Sequence, residues 1–142
     1  MIRKLKPTEL SSVMQIWLDA NLEAHQFINP LFWHKNADNV RKLMGTAEIY
    51  VYETEDDHKV VGFIGLINNL IGGLFVHNAY RATGVGKKLI DYAKLSKAYL
   101  IVHVYKQNEL AYHFYRREGF NLSREQIEPN TMEMEYEMFW EK

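Results

Sequence analysis

The segment "YRATGVGKKLI", residues 80–90, decides how the rest of the chain is interpreted. It places Arg81, Gly84 and Gly86 between an apolar strand pattern and an apolar helical stripe. A loop that opens a helix exposes free backbone N–H groups at the positive end of the helix dipole, which favours an anion. Taken alone, the segment fits an ordinary strand-to-helix turn as well as a phosphate-binding loop.

Two common glycine-rich phosphate motifs do not fit this segment. A dinucleotide-binding fingerprint needs a third glycine at position 89, which is Leu89. A P-loop needs glycine at position 81 and serine or threonine at position 88, and these positions hold Arg81 and Lys88. Both nucleotide-binding motifs are therefore excluded.

Length and composition indicate one ordinary globular domain, residues 1–142. The chain is 47% hydrophobic and 25% charged, with a net charge of -1 and a pI of about 6.6. This balance argues against a protein that binds nucleic acid by electrostatic attraction. The chain has no cysteine, which excludes disulfides, thiolate metal sites and an acyl-cysteine intermediate. No signal peptide or bilayer-length apolar run is visible, so we expect a cytoplasmic protein without membrane association.

Apolar periodicity predicts the order of elements β-α-α-β-β-β-α-β-α-β-β. The first helix has a stripe at i, i+3, i+4 and i+7, formed by Leu10, Val13, Met14 and Trp17. Two β-rich runs, residues 47–53 and 60–67, surround a polar turn and predict a hairpin. The expected fold is α/β (α+β): a mixed, mostly antiparallel sheet of six to seven strands flanked by about four helices.

Two further strand patterns carry specific predictions. Gly72 and Gly73 lie inside the strand that precedes the loop, and they indicate a bulge or a close backbone approach. In the last strand, apolar residues alternate with Glu133, Glu135 and Glu137, a pattern that predicts a half-buried strand with a solvated acidic face.

The segment "NELAYHFYRREGF", residues 108–120, is the second candidate for chemistry. Asn108, Ala111 and Tyr115 fall on one face of a predicted helix that Gly119 closes. A tyrosine with a pKa of about 10 is neutral at pH 7 and has a phenolic proton to donate. The alternative is that Tyr115 is an amphipathic packing residue.

Together the two segments resemble the signatures of the GNAT superfamily of N-acetyltransferases. Residues 81–86 match its R-x-x-G-x-G loop, and residues 108–120 match its N-x-x-A-x-x-F-Y-x-x-x-G-F pattern. The resemblance spans essentially the whole chain, and it is narrowest to small single-domain bacterial members, with Trp17-Leu18 and then "HQFI" at residues 25–28. It implies the GNAT fold and acetyl-CoA as the acetyl donor.

The resemblance also implies where the donor binds. The main chain of Leu74 to Val76 would pair with the pantetheine arm, after a splay at Gly72 and Gly73. The backbone from Val85 to Lys88, with Arg81, would hold the pyrophosphate, and Asn108 would contact the pantetheine or a water that positions it. The residues implied for the donor site are Leu74, Phe75, Val76, Arg81, Gly84, Val85, Gly86, Lys87, Lys88 and Asn108.

Catalytic roles follow from the same resemblance. Tyr115 would protonate the leaving thiolate. In proteins similar to the ribosomal-protein N-terminal acetyltransferases, the strand before the second motif reads L-E-V, with glutamate as a proposed base, whereas here His103 holds that place. An imidazole suits proton transfer near neutral pH. The alternative for His103 is a histidine satisfied within the fold.

The acceptor region is expected between the first two helices. His25 is interpreted as an alternative base or a substrate contact, with Phe27 and Trp33 as walls of the pocket. No metal is expected, because no pair of histidines has the spacing of metal ligands.

The sequence thus predicts an N-acetyltransferase acting by direct attack of an amine in a ternary complex. The acceptor is a primary amine: a protein lysine, an N-terminus or a small molecule. The alternative is a non-catalytic acyl-CoA-binding sensor or partner protein with the same fold.

Overall fold

Seven strands and four helices follow one another in the protein, whose computed structural model describes residues 1–142. The strands are β1 (Ile2–Lys4), β2 (Glu48–Glu53), β3 (Val60–Ile67), β4 (Leu70–Val76), β5 (Tyr99–Tyr105), β6 (Asn121–Ile127) and β7 (Met134–Glu141). The helices are α1 (Leu10–Ala24), α2 (Pro30–Met44), α3 (Val85–Leu95) and α4 (Glu109–Arg117). The predicted order of elements is confirmed.

All seven strands form one sheet in the order β1-β2-β3-β4-β5-β7-β6. Every neighbouring pair is antiparallel except β4 and β5, which are parallel. The mixed, mostly antiparallel sheet is therefore confirmed at seven strands. The last strand of the chain, β7, lies between β5 and β6 and pairs with both.

The helices cover the two faces of the sheet, so the protein has two apolar cores. On the α1–α2 face, Trp17 and Trp33 pack with β-strand residues such as Val51 and Phe63. On the α3–α4 face, the core is formed by residues of α3, α4 and the strands beneath them, including Leu89, Ile90, Leu100, Val102, Tyr115, Phe120 and Met138. No helix combines the length and the apolar character needed to cross a bilayer.

The first two helices follow local sequence signals, with one correction. In α1 the buried stripe is Val13, Ile16, Trp17 and Ala20, so the predicted Leu10 and Met14 lie at its margin and are only partly buried. The buried face of α1 is centred on Val13, Ile16, Trp17 and Ala20, because Ile16 and Ala20 continue the i+3, i+4 pattern that starts at Val13. Helix α2 begins at Pro30, after Asn29, whose side-chain oxygen accepts a hydrogen bond from the Leu31 amide at 3.0 Å.

Candidate active site

A gap opens in the sheet between β4 and β5, and we call it the β4–β5 split. The two parallel strands pair only at Leu70 with Ile101 and at Ile71 with Val102. The register between β3 and β4 shifts just after this point and leaves Gly72 as an extra residue, so the predicted bulge is confirmed. A bulge bends its strand. The β5-facing edge of β4 therefore has no strand partner beyond Ile71.

The free edge of β4 carries the predicted residues Leu74, Phe75 and Val76. These residues pair with β3 on one side only, so their main-chain groups on the other side are open to an extended ligand. The Phe75 ring lies over Gly73, where an added Cβ would come within 2.5 Å of a ring carbon. Gly73 is thus needed for the position of this ring beside the split.

The N-terminus of α3 supplies unpaired amide groups at the open end of the split. Gly84 precedes the helix with φ of 89°, a left-handed conformation that favours glycine. The first amide that donates back into the helix is that of Lys88, to the Gly84 carbonyl at 3.0 Å. The amides of Val85, Gly86 and Lys87 come earlier and have no acceptor within the helix. The prediction assigned the backbone from Val85 to Lys88 to the pyrophosphate. The Lys88 amide already donates to the Gly84 carbonyl, so the free amides are those of Val85, Gly86 and Lys87.

The cations of this loop have partners within the protein. The guanidinium of Arg81 forms two hydrogen bonds with the Glu23 carboxylate at the end of α1, from Nη1 at 2.7 Å and from Nη2 at 3.1 Å. The other partners are Asp91 and Glu118 for Lys87, and the ring of Tyr52 for Lys88. An anion at the start of α3 therefore competes with Glu23 for Arg81.

Tyr115 lies on the α3–α4 face and is buried between aromatic neighbours. Its ring centroid is 5.1 Å from that of Phe114 and 5.2 Å from that of Phe120. Burial raises the pKa of Tyr115 above its usual value near 10, and no hydrogen bond to a protein group offsets this. The phenol consequently keeps its proton at neutral pH and has that proton free to donate.

Asn108 fixes the start of α4. Its side-chain oxygen accepts from the Ala111 amide at 3.2 Å, which caps the helix. Its side-chain nitrogen donates to His25 Nε2 at 3.1 Å. For the predicted contact with a ligand, the Asn108 side chain has only its second amide hydrogen left. In the structure, the residue links the start of α4 to the end of α1.

His25 has both ring nitrogens engaged in hydrogen bonds within the protein, which argues against its predicted role as an alternative base. Asn21 donates from Nδ2 to the Trp17 carbonyl at 2.8 Å, so its Oδ1 is the acceptor facing His25 Nδ1 at 3.0 Å. His25 Nδ1 therefore carries the proton, and Nε2 accepts from Asn108. Burial lowers the pKa of His25 to about 4. With both ring nitrogens used in these hydrogen bonds, His25 has no lone pair left to act as a base, and the residue is 8% exposed.

The two aromatic residues predicted as acceptor walls differ in exposure. Trp33 is buried and stacks on the His25 ring, with centroids 5.4 Å apart. It therefore packs beneath the residues that line the surface here. Phe27 is partly buried and contacts His25 and Tyr105 edge to face, at centroid distances of 5.7 Å each. Phe27 and Tyr105 are thus the side chains that face outward here.

His103 follows directly after Val102, the last residue of β5 that pairs with β4. It lies on the α1–α2 face with Tyr105, two residues along the same strand, and its side chain is about one-third exposed. Its Nε2 is 3.2 Å from Glu137 Oε1, and its Nδ1 is 4.0 Å from Glu135 Oε1. Tyr115 lies on the opposite face of the sheet, in the apolar core that also contains Ile71 and Val102, the residues at which β4 and β5 last pair.

Three residues near His103 were not among the predicted site residues: Tyr105, Glu135 and Glu137. Burial, together with the charges of Glu128, Glu135 and Glu133, raises the pKa of Tyr105, which shows that carboxylates gather at this end of β5. Glu135 is only 8% exposed and accepts from Gln126, so the face predicted to be solvated is partly buried. The alternation of glutamates in β7 was the only signal in the sequence for these carboxylates, and it does not indicate that β7 pairs with β5.

The remaining polar residues do not form a metal site. No three histidine, aspartate or glutamate side chains converge as metal ligands would. His77 has a structural role, since its Nδ1 accepts from the Ala79 amide at 3.1 Å and caps the turn before Arg81. The groups around the split thus comprise amide donors and a phenol on one face, and imidazole and carboxylates on the other.

Comparison with known proteins matches this arrangement to acetyltransferases. The family described as "Acetyltransferase (GNAT) domain" matches residues 45–122. The peptidyl-lysine N-acetyltransferase YiaC of Escherichia coli (strain K12) is 29% identical over 124 residues, which cover 86% of this chain and 84% of YiaC. The peptidyl-lysine N-acetyltransferase YjaB of the same organism is 30% identical over 122 residues, which cover 86% and 82%.

Solved structures share the whole fold. The solution structure of apo YjaB from Escherichia coli superposes with a TM-score of 0.86 at 26% identity, covering 99% of this chain and 96% of that one. The PaiA N-acetyltransferase of Thermoplasma acidophilum, solved with coenzyme A, gives a TM-score of 0.82 at 18% identity, covering 100% and 98%. The second likeness concerns the fold alone.

Proposed function

Because the chain belongs to the GNAT acetyltransferase family, and is thus an acetyl-CoA-dependent acetyltransferase, we propose that its acceptor is the side-chain amine of a lysine in a protein or peptide. The observation that carries the proposal is the β4–β5 split, with hydrogen-bond donors on the α3–α4 face and carboxylates on the α1–α2 face. The names of the two curated relatives support the same acceptor.

Donor binding is assigned to the main chain around the split. The free edge of Leu74, Phe75 and Val76 suits an extended pantetheine arm, which would add to β4 as a short strand. The amides of Val85 to Lys87 suit the pyrophosphate, because they lie at the positive end of α3. Gly84 allows the backbone to turn there, Arg81 and Lys88 add positive charge, and Asn108 holds the start of α4 beside the arm.

Attack on the donor requires a neutral amine. A lysine ammonium with a pKa near 10.4 must lose a proton before its nitrogen can form a bond to the acyl carbon. We assign the removal of this proton to His103, whose side chain is about one-third exposed on the α1–α2 face next to the split. Acetyl-CoA supplies the thioester whose carbon–sulfur bond breaks as the new carbon–nitrogen bond forms.

Departure of the thiolate is assigned to Tyr115 on the opposite face. A thiol has a pKa near 8.5, which is below that of the buried phenol. Complete transfer of the Tyr115 proton to the sulfur before the carbon–sulfur bond breaks is therefore unfavourable. Burial raises the pKa of the sulfur as well, because it disfavours either anion. The Tyr115 proton therefore moves as the carbon–sulfur bond breaks, and before that it serves as a hydrogen-bond donor to the sulfur.

The charge around Tyr105 supports a cationic acceptor. The carboxylates of Glu128, Glu133 and Glu135 lie close enough to raise its pKa, and a lysine ammonium would be attracted to the same region. Phe27 and Tyr105 offer apolar surface for the methylene part of a lysine side chain. We propose a cytoplasmic location for this reaction, because acetyl-CoA is present in that compartment.

Mass spectrometry of peptide acetylation tests the acceptor. Purified protein and acetyl-CoA are incubated with one peptide in three forms: lysine free, lysine replaced by arginine, and N-terminus blocked. We expect a 42 Da addition on the lysine Nζ that persists when the N-terminus is blocked. Acetylation confined to the N-terminus, or to small amines such as polyamines added in parallel, would overturn the lysine proposal.

A further inference from the structure

A cross-strand pair joins His103 to the neighbouring strand β7. The register of β5 and β7 places His103 directly opposite Glu137, and the His103 Nε2 to Glu137 Oε1 distance is 3.2 Å. The carboxylate of an ionised glutamate only accepts hydrogen bonds, so Nε2 carries the proton in this pair. The lone pair of the neutral ring is then on Nδ1.

The Glu137 carboxylate is itself held by two other residues. Its Oε2 accepts from the Ser123 hydroxyl at 3.1 Å, and its Oε1 also accepts from Arg124 Nη2 at 3.3 Å. Burial disfavours the charge on Glu137, but the hydrogen bonds from His103 and Ser123 and the charge of Arg124 outweigh it, so the pKa of Glu137 is lowered. Glu137 is therefore ionised and fixed in position at neutral pH.

We propose that Glu137 is the positioning residue of the base, holding the His103 proton on Nε2 so that Nδ1 receives the proton from the acceptor amine. This inference rests on the proposed role of His103. The proton leaves the amine nitrogen, binds Nδ1 and later passes to solvent, so charge is conserved at each step. The imidazolium formed in between lies near Glu137 and Glu135, whose Oε1 is 4.0 Å from Nδ1.

The surroundings of His103 show why a second group is needed. About one-third of its side chain is exposed on an open sheet face, so packing alone leaves the ring free to rotate. The charged groups that face it are Glu135 and Glu137 from β7, and Arg124 from β6 through Glu137. Only Glu137 is within hydrogen-bond distance of a ring nitrogen, so it alone can set which nitrogen is protonated.

Steady-state kinetics of Glu137→Gln test the proposal. We expect kcat to fall about tenfold, as is common when a group that orients a reacting imidazole is removed, with the KM for acetyl-CoA unchanged. The acidic limb of the kcat/KM profile should move to lower pH, because loss of a carboxylate disfavours the imidazolium. Glu125→Gln is the matched control: it removes a charge from β6 on the opposite face, where Glu125 contacts Lys106.

A double-mutant cycle separates positioning from an independent role. In a His103→Ala background, Glu137→Gln should change kcat by less than about twofold, since a residue acting through His103 has nothing left to position. A wild-type kcat and pH profile in Glu137→Gln overturns the inference, as does an equal loss in both backgrounds. If His103→Ala alone leaves turnover and the acidic limb unchanged, the proposed base fails, and this inference fails with it; the acceptor class remains separately tested by the peptide assay.

Discussion

The two faces of the β4–β5 split differ in the kind of polar group they present. On the α3–α4 side lie the amides at the start of α3 and the buried phenol of Tyr115, which are uncharged donors. On the α1–α2 side lie His103 and two carboxylates, Glu135 and Glu137, which accept protons or attract cations. One opening in a sheet can thus hold an anionic donor molecule and a cationic acceptor without mixing their binding groups.

The first prediction removes the donor group of the α3–α4 side with the smallest possible change. Tyr115→Phe should lower kcat about 100-fold, the lower range for loss of a general acid, while the dissociation constant for acetyl-CoA stays within about twofold. Stopped assays of thioester cleavage and calorimetric titration measure the two quantities. Tyr112→Phe is the matched control on the same helix, since Tyr112 packs against Tyr136 instead. Wild-type turnover in Tyr115→Phe would contradict the acid assignment.

The second prediction concerns stability on the α1–α2 side. The pKa of His25 is about 4 in the folded protein and about 6.5 when unfolded, so the unfolded state binds more protons between these values. Stability is therefore complete above about pH 6.5 and falls as pH drops toward 4. Between pH 7 and pH 5 the free energy of unfolding should fall by about 2 kcal/mol, which urea titrations measure.

Two histidine variants check this assignment. His25→Gln should lose most of the pH dependence between pH 7 and pH 5, whereas replacing the exposed His34 by glutamine should retain it. If stability falls equally between pH 7 and pH 5 in His25→Gln and in the unsubstituted protein, the buried hydrogen bonds of His25 with Asn21 and Asn108 do not cause the pH dependence.

The third prediction tests whether the loop at the start of α3 receives a ligand at close range. A Cβ on Gly86 would meet the Phe114 ring at 3.5 Å, an ordinary contact, so Gly86→Ala should bind CoA almost normally. The branched side chain of Gly86→Val leaves less room, and it should weaken CoA binding about tenfold. Calorimetric titration with CoA measures both. An unaltered dissociation constant in Gly86→Val would make the loop an ordinary turn.

The fourth and smallest prediction releases Arg81 from its partner. Glu23→Gln should tighten CoA binding by up to about fivefold at low salt, because an exposed ion pair contributes modestly and salt screens it. Asp19→Asn, one turn earlier in α1, is the control, since Asp19 contacts Gln15 rather than Arg81. Weaker binding in Glu23→Gln would mean that Glu23 orients Arg81 for the ligand instead of competing with it.

The sequence was sufficient for the fold and for much of the α3–α4 side because the signals there are local. The loop at 81–86, the helix that follows it and the bulge at Gly72 each depend on neighbours within a few residues. Main-chain amides at a helix start are also present whatever the surrounding side chains. On this side the Lys88 amide departs from the prediction, because the first turn of α3 already uses it.

The α1–α2 side could not be predicted in the same way, because its contacts join distant segments. His25 and Asn108 are 83 residues apart, and His103 and Glu137 are 34 apart. Periodicity showed that Glu133, Glu135 and Glu137 share a face of β7, but not that β7 enters the sheet beside β5. His25 looked accessible in a loop between helices, whereas the Asn21 and Asn108 side chains bury it.

The position of β7 has a consequence for synthesis on the ribosome. Strands β4 and β5 and helices α3 and α4 are all made before β7, so the amides and the phenol assigned to acetyl-CoA exist in a chain that still lacks Glu135 and Glu137. One edge of β5 remains unpaired until β7 is made, and β7 must then insert between β5 and β6. A nascent chain thus contains the groups proposed to hold the donor, and His103 itself, before it contains Glu137, the residue proposed to hold the proton of that histidine on Nε2.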